Sequence, residues 1–128
     1  MLFTYLFGPE QILTKVNVSD KWELFDRMLD AISRNPSYRD VPEEVRERFR
    51  DAVITREEEI STGLGDGVGF PHARISGLNR IFVSLAMLEK AIDYGAPDNK
   101  PVNFACMVLL PETKPTLGLK IMSTCSSL

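Results

Sequence analysis

The chain has 128 residues, enough to bury one hydrophobic core and too few for two. Its 44% hydrophobic and 26% charged content mark an ordinary globular protein, and a net charge of −3 gives no electrostatic case for binding nucleic acid or an anionic membrane surface. Nothing approaches the ~18 consecutive apolar residues of a transmembrane helix, and the apolar start from Met1 to Phe7 is too short, and lacks the basic lead, for a signal peptide.

Taken in chain order, Ile12 to Val18 alternates and predicts a strand with Ile12, Thr14, Val16 and Val18 on one face. Asp20-Lys21-Trp22-Glu23 resembles a capping box, so a helix should run from there to about Ser33. Trp22, Phe25, Leu29 and Ile32 fall at helical spacing and form its expected buried face. Asn35-Pro36-Ser37-Tyr38 breaks that helix. Pro42 suits the first turn of a second helix, with Glu43 and Glu44 complementing its dipole and Val45, Phe49, Ala52 and Val53 turned inward. Arg46, Arg48 and Arg50, interleaved with Glu47 and Asp51, read as a solvated face.

The second half reads as strands: a short one near Val68 to Phe70 and a clear one from Ile81 to Leu88. After a turn across Tyr94 to Pro101, Val102 to Leu110 is almost continuously apolar, as a central strand covered on both faces must be. Pro111 to Pro115 is an expected loop, and Thr116 to about Thr124 a final helix seeded by Leu117, Ile121 and Met122. The class is therefore α/β or α+β, one domain over residues 1–128, with a mixed sheet of about five strands flanked by helices. Cys106, inside the apolar run, and the distant Cys125 read as thiols in a reducing cytoplasm, not as a disulfide.

The densest feature is Ser61-Thr62-Gly63-Leu64-Gly65-Asp66-Gly67-Val68-Gly69-Phe70-Pro71-His72, which places four glycines in seven residues and ends on the only histidine. Glycine at this density marks close approach of backbone or positive φ. Pro71 fixes the approach to His72 by locking its own φ and restricting Phe70. Backbone N–H groups of such a segment form anion-binding concavities, and a neutral imidazole is a competent nucleophile toward phosphorus. A lone histidine is more often structural, but this one closes a glycine-rich turn and does not sit on an apolar helix face. The segment lacks the G-x-G-x-x-G register of a dinucleotide site and the Lys-Ser/Thr ending of a nucleotide phosphate loop. No metal is expected, since one histidine without a nearby cysteine makes no usual zinc set. No Ser/His/Asp arrangement is legible, although Ser61 and Thr62 are close enough in sequence to help orient the imidazole.

The stretch Thr62 to His72 resembles the active-site segment of the IIA components of the bacterial sugar phosphotransferase system, mannitol/fructose type, which includes the nitrogen-regulatory IIA protein. The resemblance takes in Arg56-Glu57-Glu58-Glu59, the turn and strand from Ile92 to Val102, and Leu109-Leu110-Pro111, in all roughly residues 10 to 123. It implies the phosphotransferase/anion-transport-protein-like fold and a cofactor-free, ping-pong phosphoryl carrier. By position, His72 is the residue phosphorylated by the phosphocarrier protein HPr or its nitrogen-branch equivalent, and Arg56 is the cation beside it. Thr62, Gly63, Gly65, Gly67 and Pro71 are the implied phosphate-binding and orienting residues. Onward transfer goes to a cysteine on a IIB partner, or the phosphate serves as a regulatory mark on a binding module that controls another protein. All of this places the chain in the cytoplasm, without membrane insertion.

Two departures stand out. Where many family members carry a second histidine after the Leu-Leu-Pro loop, this chain has Gly118, which puts onward transfer in doubt and suits a regulatory member. Members also continue into further helical residues beyond Ser123-Thr124-Cys125-Ser126-Ser127-Leu128. Apolar surface left without them favours self-association, so a homodimer is among the implied assemblies. Cys125 to Leu128 matches a prenylation tetrapeptide only superficially, because its middle residues are Ser. Neither Cys106, mid-strand, nor Cys125, with no glycine loop behind it, suits a fused phosphocysteine site.

Overall fold

The computed structural model describes residues 8–113. The expected final helix, with Gly118 and Cys125, lies outside them. Strand β1 (Ile12–Val16) leads to helix α1 (Lys21–Ser33), a 3-10 turn (Pro36–Asp40), and helices α2 (Glu43–Arg46) and α3 (Phe49–Glu59). Strands β2 (Gly63–Gly65), β3 (Val68–Gly69), β4 (His72–Ile75), β5 (Phe82–Ile92) and β6 (Val102–Pro111) follow. They form one mixed six-stranded sheet ordered β1-β5-β6-β3-β2, with β4 also paired to β6. The sixth strand has a simple cause. β3 and β4 run in line along the same side of β6, Val68 opposite Phe104 and His72 opposite Val108. Pro71 has no N–H for the ladder, so one lane is cut into two strands between them.

β6 is the centre of the sheet, antiparallel to β5 and parallel to β3 and β4. Its side chains alternate between two buried clusters. Val102, Ala105, Met107 and Leu109 join the helices' apolar faces, while Cys106, Val108 and Leu110 join Phe70, Val83 and Leu85. The near-continuous apolar run is thus explained by burial on both faces.

α1 starts on Asp20, whose carboxylate accepts the Glu23 N–H at 2.9 Å. The Glu23 carboxylate reaches back to the N–H of Ser19, one residue before the cap, and not to Asp20 itself. The buried face is Leu24, Phe25, Met28, Ala31 and Ile32, with Leu29 only partly covered. Trp22 is exposed, contrary to the periodicity. It sits in the first turn, packs only its edge against Phe25 and lies near the Lys21 ammonium.

β1 also departs from its expected pattern. Lys15 adopts φ 52°, and the pairing with β5 shifts between Leu13 and Val16. This irregularity breaks the period of two, so Ile12 and Thr14 are exposed while Leu13 and Val16 face the core. The strand ends at Val16, two residues short of expectation.

The expected second helix is two. Pro42 precedes the first turn as its N-cap, and the chain bends at Glu47 and Arg48 before α3. Val45, Phe49 and Val53 still face inward, with Ala52 partly covered. Of the arginines read as a solvated face, Arg48 and Arg50 are exposed, Arg48 donating to the Ser76 carbonyl and Arg50 paired with Asp26 at 2.8 Å, while Arg46 is half-buried over the Tyr38 ring. α3 packs beside β4, which brings the last turn of the helix next to the start of the strand.

Candidate functional site

His72 opens β4 directly after Pro71, half-buried, with Ala73 and Ile75 anchoring the strand inward. Its Nδ1 lies 2.8 Å from the carbonyl oxygen of Phe70. A carbonyl only accepts, so Nδ1 carries the proton and Nε2 keeps its lone pair. The Phe70 ring, wholly buried, rests against the imidazole with centroids 5.0 Å apart. Burial pushes the His72 pKa below its ordinary value, and the nearby Arg56 and Arg74 charges push the same way. The Phe70 hydrogen bond and the Glu57 charge oppose them without reversing the shift. The ring is therefore neutral at pH 7.

The imidazole opens onto a cleft of about 970 Å³ between α2, α3 and β4. Arg48, Arg56 and Arg74 line it, interspersed with Glu44, Glu47, Asp51 and Glu59. Arg56 lies in the last turn of α3, where a cation complements the helix dipole, and its Nη1 donates to the Ile60 carbonyl at 3.2 Å. That bond ties the guanidinium down while leaving donors over for an anion. Guanidinium forks grip phosphate oxygens in pairs.

Of the residues singled out in the sequence, the structure brings His72 and Arg56 to one cleft. The glycines are used differently. Gly63 and Gly65 pair with Gly69 and Val68 in a tight hairpin whose turn holds Asp66 and Gly67 at φ 55° and 86°. A side chain on Gly63 would put its Cβ 2.6 Å from that of Ala96, and one on Gly69 would reach the Tyr94 ring at 2.9 Å. These glycines, with Gly67, are absent from the cleft lining, and Pro71 is buried.

Thr62 is buried too, and its hydroxyl points away from the cleft into a polar cluster. The hydroxyl donates to Glu57 Oε1, and the Tyr94 hydroxyl donates to it across 2.8 Å. Glu57 Oε2 accepts from the Thr62 N–H at 2.9 Å and from Lys21 Nζ at 3.0 Å. Burial, reinforced by the Glu57 charge, pushes the Tyr94 pKa upward, so the phenol stays a donor. Sequence reasoning passed over Glu57, Tyr94 and Arg74 as site residues and read Arg48 as part of a solvated face. Glu57 had one usable signal, its place beside Arg56 in the resemblance. Nothing in Glu57-Glu58-Glu59 shows which carboxylate turns inward. No group of three or more His, Cys, Asp or Glu side chains suited to a metal occurs among the described residues. No helix among them is long and apolar enough to cross a membrane.

A mixed six-stranded sheet flanked by helices, with a neutral histidine in a cleft lined by arginines and carboxylates, marks a small α+β domain. Residues 5–128 match the family described as phosphoenolpyruvate-dependent sugar phosphotransferase system, EIIA 2, and the chain belongs to that family. It is 36% identical over 81 residues to the fructose-specific EIIA component of Haloferax volcanii, a match covering 63% of this chain and 53% of that protein. It is 30% identical over 117 residues to a nitrogen regulatory protein of Pseudomonas aeruginosa, covering 91% and 73% respectively. Among solved structures, the nitrogen regulatory protein IIA-Ntr from Neisseria meningitidis superimposes with a TM-score of 0.78 at 27% identity, covering 94% of this chain and 78% of that one. The chain thus spans about half the length of the Haloferax relative.

Proposed function

We propose that this chain is a phosphoryl carrier of the phosphoenolpyruvate-dependent phosphotransferase system, with His72 as the residue that carries the phosphate. One observation carries the reading: a neutral imidazole, anchored through Nδ1 so that Nε2 keeps its lone pair, lines the same cleft as Arg56. The donor is a phosphohistidine on HPr or its nitrogen-branch counterpart. The Nε2 lone pair attacks phosphorus, and the donor's N–P bond breaks with its electron pair returning to the donor ring. Nδ1 keeps its proton, and the Phe70 carbonyl stabilises the positive charge that the His72 ring gains. Arg56 holds the equatorial phosphoryl oxygens, the kind of positioning and charge stabilisation on which phosphoryl transfer depends. The reverse sequence delivers the group to a cysteine of a IIB partner. No cofactor enters either step, and the exchange takes place in the cytoplasm.

A second reading is supported by the likeness to the Pseudomonas protein, which extends over 91% of this chain. In it, the same chemistry serves as a regulatory mark, and the phosphorylation state of His72 controls the binding of a target protein. Gly118, at the position of the second histidine implied by the resemblance, suits this role.

Intact-mass spectrometry after incubation with phosphoenolpyruvate, enzyme I and HPr tests both. One acid-labile phosphoryl group, absent from His72→Ala, is the expected result. A folded chain that takes no phosphate removes the carrier reading. Delivery to a IIB protein supports the carrier. Retention of the phosphate, with partner binding that changes on phosphorylation, supports the regulatory form.

A further inference from the structure

The buried polar cluster beneath the glycine hairpin is costly to build. It takes a carboxylate only 1% exposed and a lysine only 16% exposed out of water, and buried ion pairs are weak sources of stability. Its connections suggest another use. Lys21 opens α1, Glu57 belongs to the last turns of α3, Thr62 starts the hairpin and Tyr94 follows β5. Lys21 Nζ bonds both Glu57 and the Tyr94 carbonyl, at 3.0 Å each. Four segments therefore meet on one carboxylate.

From that carboxylate a short path leads to the imidazole. Glu57 grips Thr62 twice, through its N–H and its hydroxyl. The Thr62 carbonyl accepts the Phe70 N–H at 3.0 Å. The Phe70 carbonyl accepts the His72 Nδ1–H at 2.8 Å. The Tyr94 ring, pressed on Gly69, closes the space below this path. Glu57 also immediately follows Arg56 on α3.

We infer that Glu57 is a positioning residue for His72: by latching Thr62 it fixes the Phe70 peptide, which holds the imidazole as the Nδ1–H tautomer with Nε2 facing the cleft. The transfer half of this inference rests on the carrier reading above, whereas the tautomer half stands without it. Released from the latch, the Phe70 carbonyl swings, and the ring proton distributes between the two nitrogens. Leucine at position 57 removes both acceptor oxygens, whereas glutamine would keep one: with its carbonyl in the place of Oε2 it still accepts from Lys21 Nζ and the Thr62 N–H, and its NH₂ faces the Thr62 and Tyr94 hydroxyls, which can accept.

The test reads the His72 ring nitrogens directly. Their ¹⁵N shifts are recorded at pH 8 on unphosphorylated wild type, Glu57→Leu, Thr62→Val and Thr62→Ser. Wild type and Thr62→Ser are expected to show Nδ1–H predominantly. Glu57→Leu and Thr62→Val are expected to show mixed tautomers. Phosphorylation in those two falls about 10- to 100-fold, as when a reacting group is misplaced by about 1 Å, and Thr62→Ser retains it. Wild-type nitrogen shifts in folded Glu57→Leu or Thr62→Val overturn the inference. If Glu57→Leu does not fold, the Thr62→Val and Thr62→Ser pair decides alone, because valine keeps the shape of threonine and removes only the hydroxyl. A wild-type chain that accepts no phosphate sinks the carrier reading, and the ring nitrogens still report on the latch.

Discussion

The imidazole of His72 and the carbonyl of Phe70, two residues back, are joined by a hydrogen bond of 2.8 Å across Pro71. Proline keeps that span short and stiff, because its φ is fixed and it restricts the residue before it. The bond decides which nitrogen is available, and the burial around it decides the charge. Burial, Arg56 and Arg74 all favour the neutral ring. The folded pKa of His72 therefore lies below the unfolded value of about 6.5. By linkage, this contributes stability that is present above the unfolded pKa and is lost as pH falls through the folded one. An NMR titration of the ring should give a midpoint below the ordinary histidine value, and phosphorylation by HPr should hold its plateau to lower pH than a free imidazole would allow. Arg74→Gln, which removes one of the cationic charges, should move the midpoint upward. A midpoint at or above the ordinary histidine value in the wild type contradicts this account.

Gly69 and Tyr94 make the tightest test of the hairpin. A Cβ at Gly69 would stand 2.9 Å from two ring carbons and 3.2 Å from the hydroxyl, and the ring is wholly buried. Gly69→Ala is expected to cost about 1–3 kcal/mol in urea unfolding, the usual range for overpacking. It should also weaken phosphorylation, since the Tyr94 hydroxyl must shift off Thr62. Tyr94→Phe in the Gly69→Ala background should recover little stability, because the clash is with the ring. Wild-type stability for Gly69→Ala would show that the hairpin is free to move.

Much of this was legible in the sequence. The N-cap at Asp20, the break at Asn35-Pro36 and the doubly covered strand from Val102, which runs one residue past Leu110, each follow from local chemistry. Local pattern failed where a non-local contact overrode it. The bulge at Lys15 reverses the faces of β1 without any glycine to announce it. Glycine density alone cannot say which side chains the backbone approaches. Gly63 makes room for Ala96 and Gly69 for Tyr94, partners 33 and 25 positions away by their numbering. For the candidate site, the sequence singled out His72 from its segment and Arg56 from the family resemblance, and the two line one cleft. The burial of Glu57 against Thr62 was not legible, because inward and outward carboxylates look alike in a run of three.

Lys21 and Glu57 give a stability prediction that separates the latch from the cleft. Lys21→Met removes the ammonium and leaves a carboxylate that is 1% exposed with only Thr62 and Tyr94 to answer it. Removing one partner of a buried pair costs about 3–5 kcal/mol, and the open side of Lys21 places this variant near the low end. Chemical denaturation should show a fall of about 3 kcal/mol. A loss of less than about 1 kcal/mol would mean that the Lys21 charge does not hold the buried carboxylate.

Arg56 is the sharpest test of the chemistry. Its Nη1 bond to the Ile60 carbonyl fixes the guanidinium at the end of α3, and the cleft it lines begins at His72. Lysine at this position keeps the charge, yet it loses the planar fork that holds two phosphoryl oxygens at once. Arg56→Lys is therefore expected to slow phosphorylation of His72 by about 10- to 100-fold, and Arg56→Gln by more, in line with losing an oriented donor at a developing negative charge. Arg50→Gln serves as the control. Its guanidinium pairs with Asp26 on the exposed side of the helices and takes no part in the cleft, so the rate should be unchanged. Single-turnover transfer from phosphorylated HPr is the measurement, because it isolates the chemical step from partner release. Equal rates for wild type and Arg56→Lys would show that charge alone suffices and that the fork is not used. Equal rates for wild type and Arg56→Gln would remove Arg56 from the site and leave Arg48 and Arg74 as the cations to examine there.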